Sequence, residues 1–285
     1  MSQPTTTSKA NVSAAPKSSG IPLATLVIPL CLILGFVIWK FVMGDPSNFD
    51  GSANPDGIGL PDKDHPLKGN VLGVIYKGGF IVPILMGFFL IVVIFSIERF
   101  ITLAKASGSG RIEDFVRRIK FNLEKGDVNA AIGECDKQRG SVANVVRAVL
   151  NKYKECESDS VMDKEQKVSA IRQEVEEATS LELPMLEKNL PILATLTSVG
   201  TLTALLGTVM GMIKAFSALA TAGSPDAVAL STGISEALIN TALGIATSVI
   251  AMIMYNYFTT RIDGMTYAID EAGFSIANTF AARNK

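Results

Sequence analysis

One uncharged segment, LPILATLTSVGTLTALLGTVMGMI at residues 190–213, most constrains what this chain can fold into. As a helix rising about 1.5 Å per residue, it is long enough to cross a hydrocarbon core of about 30 Å. Its composition does not suit a plain lipid anchor, because Thr195, Thr197, Ser198, Gly200, Thr201, Thr203, Gly207, Thr208 and Gly211 interrupt the leucines and isoleucines. Glycines and hydroxyls in an apolar helix favour close helix packing and present oxygen atoms inside a membrane assembly. A second stretch, residues 237–258, repeats the design with Asn240, Thr241, Gly244, Thr247 and Ser248. The pair points to ion or proton movement more than to soluble enzymology.

Composition agrees with this reading. Of 285 residues, 48% are hydrophobic, and the mean hydropathy is +0.34. Charge gathers between Arg99 and Lys188 and nearly vanishes from the apolar runs. That pattern belongs to an integral membrane protein carrying one water-exposed domain. A formal net charge of −1 offers no electrostatic basis for a nucleic-acid partner. Cys31 lies in an apolar run, and Cys135 and Cys156 have no His or Cys at metal spacing, so the cysteines read as structural or free thiols. His65, the only histidine, falls in a Pro/Gly/Asp loop, which leaves no His-based metal site or triad and calls for no cofactor. There is no nucleophile–base pair and no phosphate loop; the GSG at 108–110 is a lone loop signal. An enzyme is the weakest reading.

Residues 1–20, rich in Ser, Thr, Ala, Pro and Lys and without period, read as a disordered tail. Residues 21–43 form a first apolar run with Trp39 and Lys40 as interfacial anchors. Lys9 and Lys17 resemble the basic start of a signal peptide, but the run outlasts a usual apolar region and FVMGDP is a poor cleavage site, so a retained helix is expected. Residues 44–77 read as a polar loop, and residues 78–104 as a second membrane helix with Pro83 in its first turns and Glu98 and Arg99 at its inner end. Residues 105–188 read as a helical domain. Ile112, Phe115, Val116, Ile119 and Leu123 share one stripe that stops at Gly126. Residues 164–182 form a long amphipathic helix, with Pro184 and Pro191 marking a bend at membrane entry. Residues 189–221 and 230–260 are the third and fourth membrane helices, joined by a short loop at 222–229, and 261–285 is a C-terminal tail.

Lysine and arginine crowd the domain, whereas loop 44–77 sets Lys63, Lys68 and Lys77 against Asp45, Asp50, Asp56, Asp62 and Asp64. The positive-inside rule therefore puts the domain and both termini in the cytoplasm. The expected fold is an all-α integral membrane protein whose long transmembrane helices extend into a cytoplasmic helical domain.

Thr197, Thr201 and Thr208 share one face of the third membrane helix, and Gly207 and Gly211 make a GxxxG pair. Thr241, Gly244, Ser248 and Ala251 line a similar stripe on the fourth. Two readings fit these stripes: packing glue between helices, or a hydroxyl path facing a pore. No Asp or Glu lies in the middle of an apolar run. Threonine does not titrate in the physiological range, so a proton-driven machine built on this chain needs a carboxylate from another subunit. Lys214, at the outer end of the third helix, reads as a snorkelling side chain. Glu236, at the outer end of the fourth, reads as a helix-start cap or as the partner of a cation on a neighbouring subunit.

LLGTVMGMIKAF at 205–216 and GISEALINTALGIATSVIAMIMYNYF at 233–258 resemble the MotA/TolQ/ExbB proton-channel family, the ExbB/TolQ branch most closely. GGFIVPILMGFFLIVVIFSIERFITL at 78–103 is similar to that branch's first membrane helix. The resemblance implies an ExbB-like subunit of a proton-motive-force-driven motor in a Gram-negative inner membrane. It implies a homopentameric ring around single-span partners of the ExbD or TolR type, which carry the titrating Asp and pass motion to a TonB-type protein. Its pore threonines fall on Thr208 and Thr241, and its acidic residue on Glu236. Thr201 and Ile250 stand where the family often has prolines, and the helix at 21–43 is additional to the three-helix ExbB plan. The four-helix topology matches MotA stators, whereas the motifs favour ExbB. TolQ-like envelope work, a motility stator and a non-conducting scaffold are the alternatives.

Overall fold

The computed structural model describes residues 23–51, 61, 65–221 and 227–283. The expected N-terminal tail and most of the loop at 222–229 lie outside the described residues. Apart from one antiparallel bridge between Phe49 and Pro66, the regular structure among the described residues is helical. Among the described residues, four helices are long and apolar enough to cross a membrane, including Thr25–Met43 and Leu190–Ala220.

Helix α1 (Leu23–Val37) is apolar all round, as a lipid-immersed helix must be, and widens into a π-helical turn at Ile38–Met43. It packs on α3 (Ile81–Ser107), where Gly35 and Gly87 meet so closely that a Cβ on Gly35 would lie 2.7 Å from the Gly87 amide nitrogen. The segment between them is not wholly a polar loop. VLGVIY forms a short helix, α2 (Val71–Tyr76), because Asn70 caps it by accepting from the Leu72 amide at 3.0 Å. Tyr76 stacks on Trp39 with ring centroids 4.7 Å apart, which ties this segment to the end of α1.

The helical domain follows. In α4 (Ile112–Glu124), Phe115, Val116, Ile119 and Leu123 are buried, while Ile112 is half-buried at the edge of their stripe. α5 (Val128–Gln138) begins at Asp127, which accepts from the Ala130 amide at 2.8 Å, and α6 (Gly140–Ser158) follows after a tight turn at Arg139. α7 (Lys164–Glu187) opens with a capping box between Asp163 and Gln166. It runs through Pro184, and the bend falls between the two prolines, at Asn189 in the left-handed region with φ 66°. α8 (Leu190–Thr221) starts immediately after it.

The last helix departs most from expectation. α9 (Ala227–Arg283) does not end at 260 but continues unbroken for 57 residues, about 85 Å. Arg261 ends the apolar run, not the helix. Beyond it Ile262, Met265, Ile269, Ala272, Ile276 and Phe280 recur at three- and four-residue spacing, and all are buried. This stripe packs on α4, α6 and α7, so one hydrophobic core runs from Cys31 in the membrane segment to Phe280 in the domain.

Candidate functional site

The site lies between α8 and α9, whose close approach is written in small residues. A Cβ on Gly200 would lie 2.6 Å from Ser248 Oγ, and one on Gly207 2.9 Å from Asn240 Cβ. On Gly211 it would lie 2.9 Å from the Gly233 carbonyl, and on Gly244 it would collide with Ala204. Gly207, Gly211 and Gly244 thus sit in the contact, as helix-packing residues do. Gly200, Ala204 and Gly233 join them, completing a near-four-residue spacing that the sequence already carried.

At the centre Thr208 Oγ and Thr241 Oγ are 2.5 Å apart. Thr208 Oγ also lies 3.1 Å from the Ala204 carbonyl and 3.4 Å from that of Ala237, and Thr241 Oγ lies 3.1 Å from the Ala237 carbonyl. Each hydroxyl has one proton to donate. One therefore bonds its partner while the other bonds a carbonyl, and the direction can reverse without moving a heavy atom. Thr208 is half-buried and opens onto a groove along α8 lined by Val209, Met212, Ile213, Phe216 and Ser217.

The other hydroxyls do not join this pair. Thr201 lies about 10 Å farther along α8 and is exposed. Ser248 is buried under Gly200, with its Oγ 3.5 Å from the Leu196 carbonyl.

Glu236 corrects the reading of a helix cap. It stands more than two turns inside α9, beyond reach of the free amides at the start. Only 8% exposed, it accepts from Lys214 Nζ at 2.7 Å within the same chain. Lys214 therefore holds an ion pair as well as reaching outward, and the neutralised pair makes a carboxylate tolerable in an apolar setting. Above it Gly79, at φ +80°, packs its backbone on the carboxylate so closely that any side chain there would overlap Glu236. One turn along, Asn240 is fully buried and donates to the Gly78 carbonyl at 3.0 Å. Glu236 and Asn240 thereby fasten α9 to the turn that starts α3.

Arg99 is the node that sequence reasoning missed. It is 1% exposed, bonds both Glu98 oxygens, at 2.6 and 2.7 Å, and donates to the Leu186 carbonyl at 3.2 Å. Asn189 Nδ2 donates to Glu98 at 3.3 Å. The Glu98–Arg99 dipeptide reads as the end of an apolar run, but it braces α3 against the α7–α8 bend.

Residues 138–271, from the end of α5 into α9, match the model of the MotA/TolQ/ExbB proton channel family. The Tol-Pal system protein TolQ of Pseudomonas aeruginosa is 28% identical over 150 residues, covering 53% of this chain and 65% of that protein. The TolQ of Haemophilus influenzae is 38% identical over 88 residues, or 31% of this chain and 39% of the relative. The biopolymer transport protein ExbB of Helicobacter pylori is 38% identical over 78 residues, or 27% and 54%. The chain spans less than two thirds of the length of each of these relatives. The matched span holds α8, the Thr208–Thr241 pair and Glu236, and over that span this chain is similar to the MotA/TolQ/ExbB proton channel family.

Proposed function

We propose that this chain is an ExbB-like subunit of a proton-motive-force-driven motor in a bacterial inner membrane, with its helical domain in the cytoplasm. Five copies form a ring whose α8 and α9 line a central pore. Single-span partners of the ExbD or TolR type stand in that pore and supply the titrating aspartate. The motion is passed to a TonB-type protein that energises transport across the outer membrane.

The observation that carries this reading is the Thr208–Thr241 contact at 2.5 Å, on two membrane-crossing helices within the family match. Two hydroxyls that can reverse their hydrogen bond can pass or order a proton but cannot hold one. The carboxylate closest to them in sequence on α9, Glu236, is already paired with Lys214. The proton-binding group therefore comes from the partner. A TolQ-like role in envelope work is the second reading, favoured by the relatives named TolQ.

Native mass spectrometry of the complex, extracted gently from its own membrane, tests the proposal. Five copies holding a small single-span protein with a membrane Asp are expected. A monomer or dimer without such a partner would overturn the motor reading in favour of a scaffold.

A further inference from the structure

Where α3 and α9 leave their apolar runs, a cavity of about 370 Å3 opens between α3, α4 and α9, a size typical of small-molecule sites. Its membrane-side wall is apolar, with Phe100, Leu103 and Phe258. Phe100 is 56% exposed, so this wall is open to whatever surrounds the membrane helices. The charged lining is ordered along α9. Arg261 comes first, at the end of the apolar run, and Glu271 lies about 15 Å farther from the membrane, with Glu113 of α4 also in the wall. Arg261 and Glu271 make no ion pair with any described residue.

From this order we infer that the cavity binds a membrane phospholipid with a primary-ammonium headgroup, a phosphatidylethanolamine. The acyl chains lie against Phe100 and the ring of Tyr257, both exposed in the cavity wall, Arg261 takes the phosphate, and Glu271 and Glu113 take the ammonium. Guanidinium–phosphate and ammonium–carboxylate contacts are both charge-assisted. An anionic headgroup would meet two carboxylates, and a trimethylated one would offer them no N–H donor. The cavity lies where the apolar runs end, and lipid binding there does not depend on proton conduction.

Gly264 supplies a clean test. It lines the cavity, and a Cβ built on it meets nothing within 4 Å. Gly264→Leu therefore projects a branched side chain into the cavity from a Cβ that meets nothing, and it replaces a weak helix former with a strong one. The full-length protein, in whatever assembly it purifies, is delipidated and titrated with dioleoyl phosphatidylethanolamine, phosphatidylglycerol or phosphatidylcholine, and adducts are counted by native mass spectrometry. Phosphatidylethanolamine should be retained best. Its affinity should fall about tenfold in Arg261→Gln and in Glu271→Gln, the loss of one charge-assisted contact. Gly264→Leu should abolish the adduct while leaving the assembly intact. Equal retention of the three lipids, no adduct on the unaltered protein, or an undiminished adduct in Gly264→Leu would each overturn the inference.

Discussion

Lys214 Nζ on α8 and Glu236 Oε1 on α9 lie 2.7 Å apart, joining residues from two helices at the level where α3 begins. Glu236 is the buried partner, whereas more than half of the Lys214 side chain is exposed. Removing the lysine strands a carboxylate, whereas removing both partners does not. Lys214→Met should cost about 1–2 kcal/mol, below the usual loss for a fully buried pair because solvent screens the lysine. The double variant Lys214→Met/Glu236→Gln should recover part of that loss. Thermal unfolding in detergent measures both, and a double variant as unstable as the single would show that the pair does not govern Glu236.

Thr208 and Thr241 offer a test of function separate from stability. The double change Thr208→Val/Thr241→Val removes two hydroxyls but keeps branched side chains, so the cost in stability should stay near 1–2 kcal/mol. Motor-dependent transport and proton flux in vesicles should collapse while the assembly survives. Persisting flux would reduce the hydroxyls to packing.

Arg99 predicts a structural lesion. Arg99→Met leaves Glu98 without its bidentate partner and unties the Leu186 carbonyl, which should cost about 3 kcal/mol. Lysine should rescue poorly, because it lacks the planar fork. Limited proteolysis at the α7–α8 bend should rise in parallel with the loss measured by thermal melting, and a loss under about 1 kcal/mol would refute the brace.

The cysteines report on the domain. Burial pushes the Cys135 thiol up to about 12, and Cys156 is also raised by burial. The folded state thus holds the Cys135 proton more tightly than the unfolded state. Its contribution to stability is complete below the ordinary thiol value of 9.0 and is lost as pH climbs from there towards about 12. At pH 8 maleimide should label neither thiol in the folded protein and both in denaturant, as mass spectrometry would show. Rapid labelling of native Cys135 would contradict the packing of α5.

Gly207 against Gly264 separates helix contact from open helix surface. Gly207→Ala places a Cβ 2.9 Å from Asn240 and should cost about 1–3 kcal/mol by overpacking. Gly264→Ala meets nothing and should stabilise α9 by up to about 1 kcal/mol. Thermal melts of the two variants moving in the same direction would contradict the α8–α9 register.

Much of this protein is determined locally and can be read from its chain. The apolar runs, the hydroxyl stripes at Thr208 and Thr241, the Phe115–Leu123 face of α4 and the small residues of α8 follow from helical period and from what a bilayer tolerates. The same period was present at Ile262, Met265, Ile269, Ile276 and Phe280. Charge at Arg261 ends a membrane run, which reads like a boundary, but a charge does not end a helix. Other features depended on which helices meet and in what register. No local pattern states that Glu236 finds Lys214, that Arg99 is buried against Leu186, or that Asn240 reaches Gly78. These contacts join residues far apart in the chain, and their energies come from excluding water around charges and amides. That environment exists only after the helices have packed.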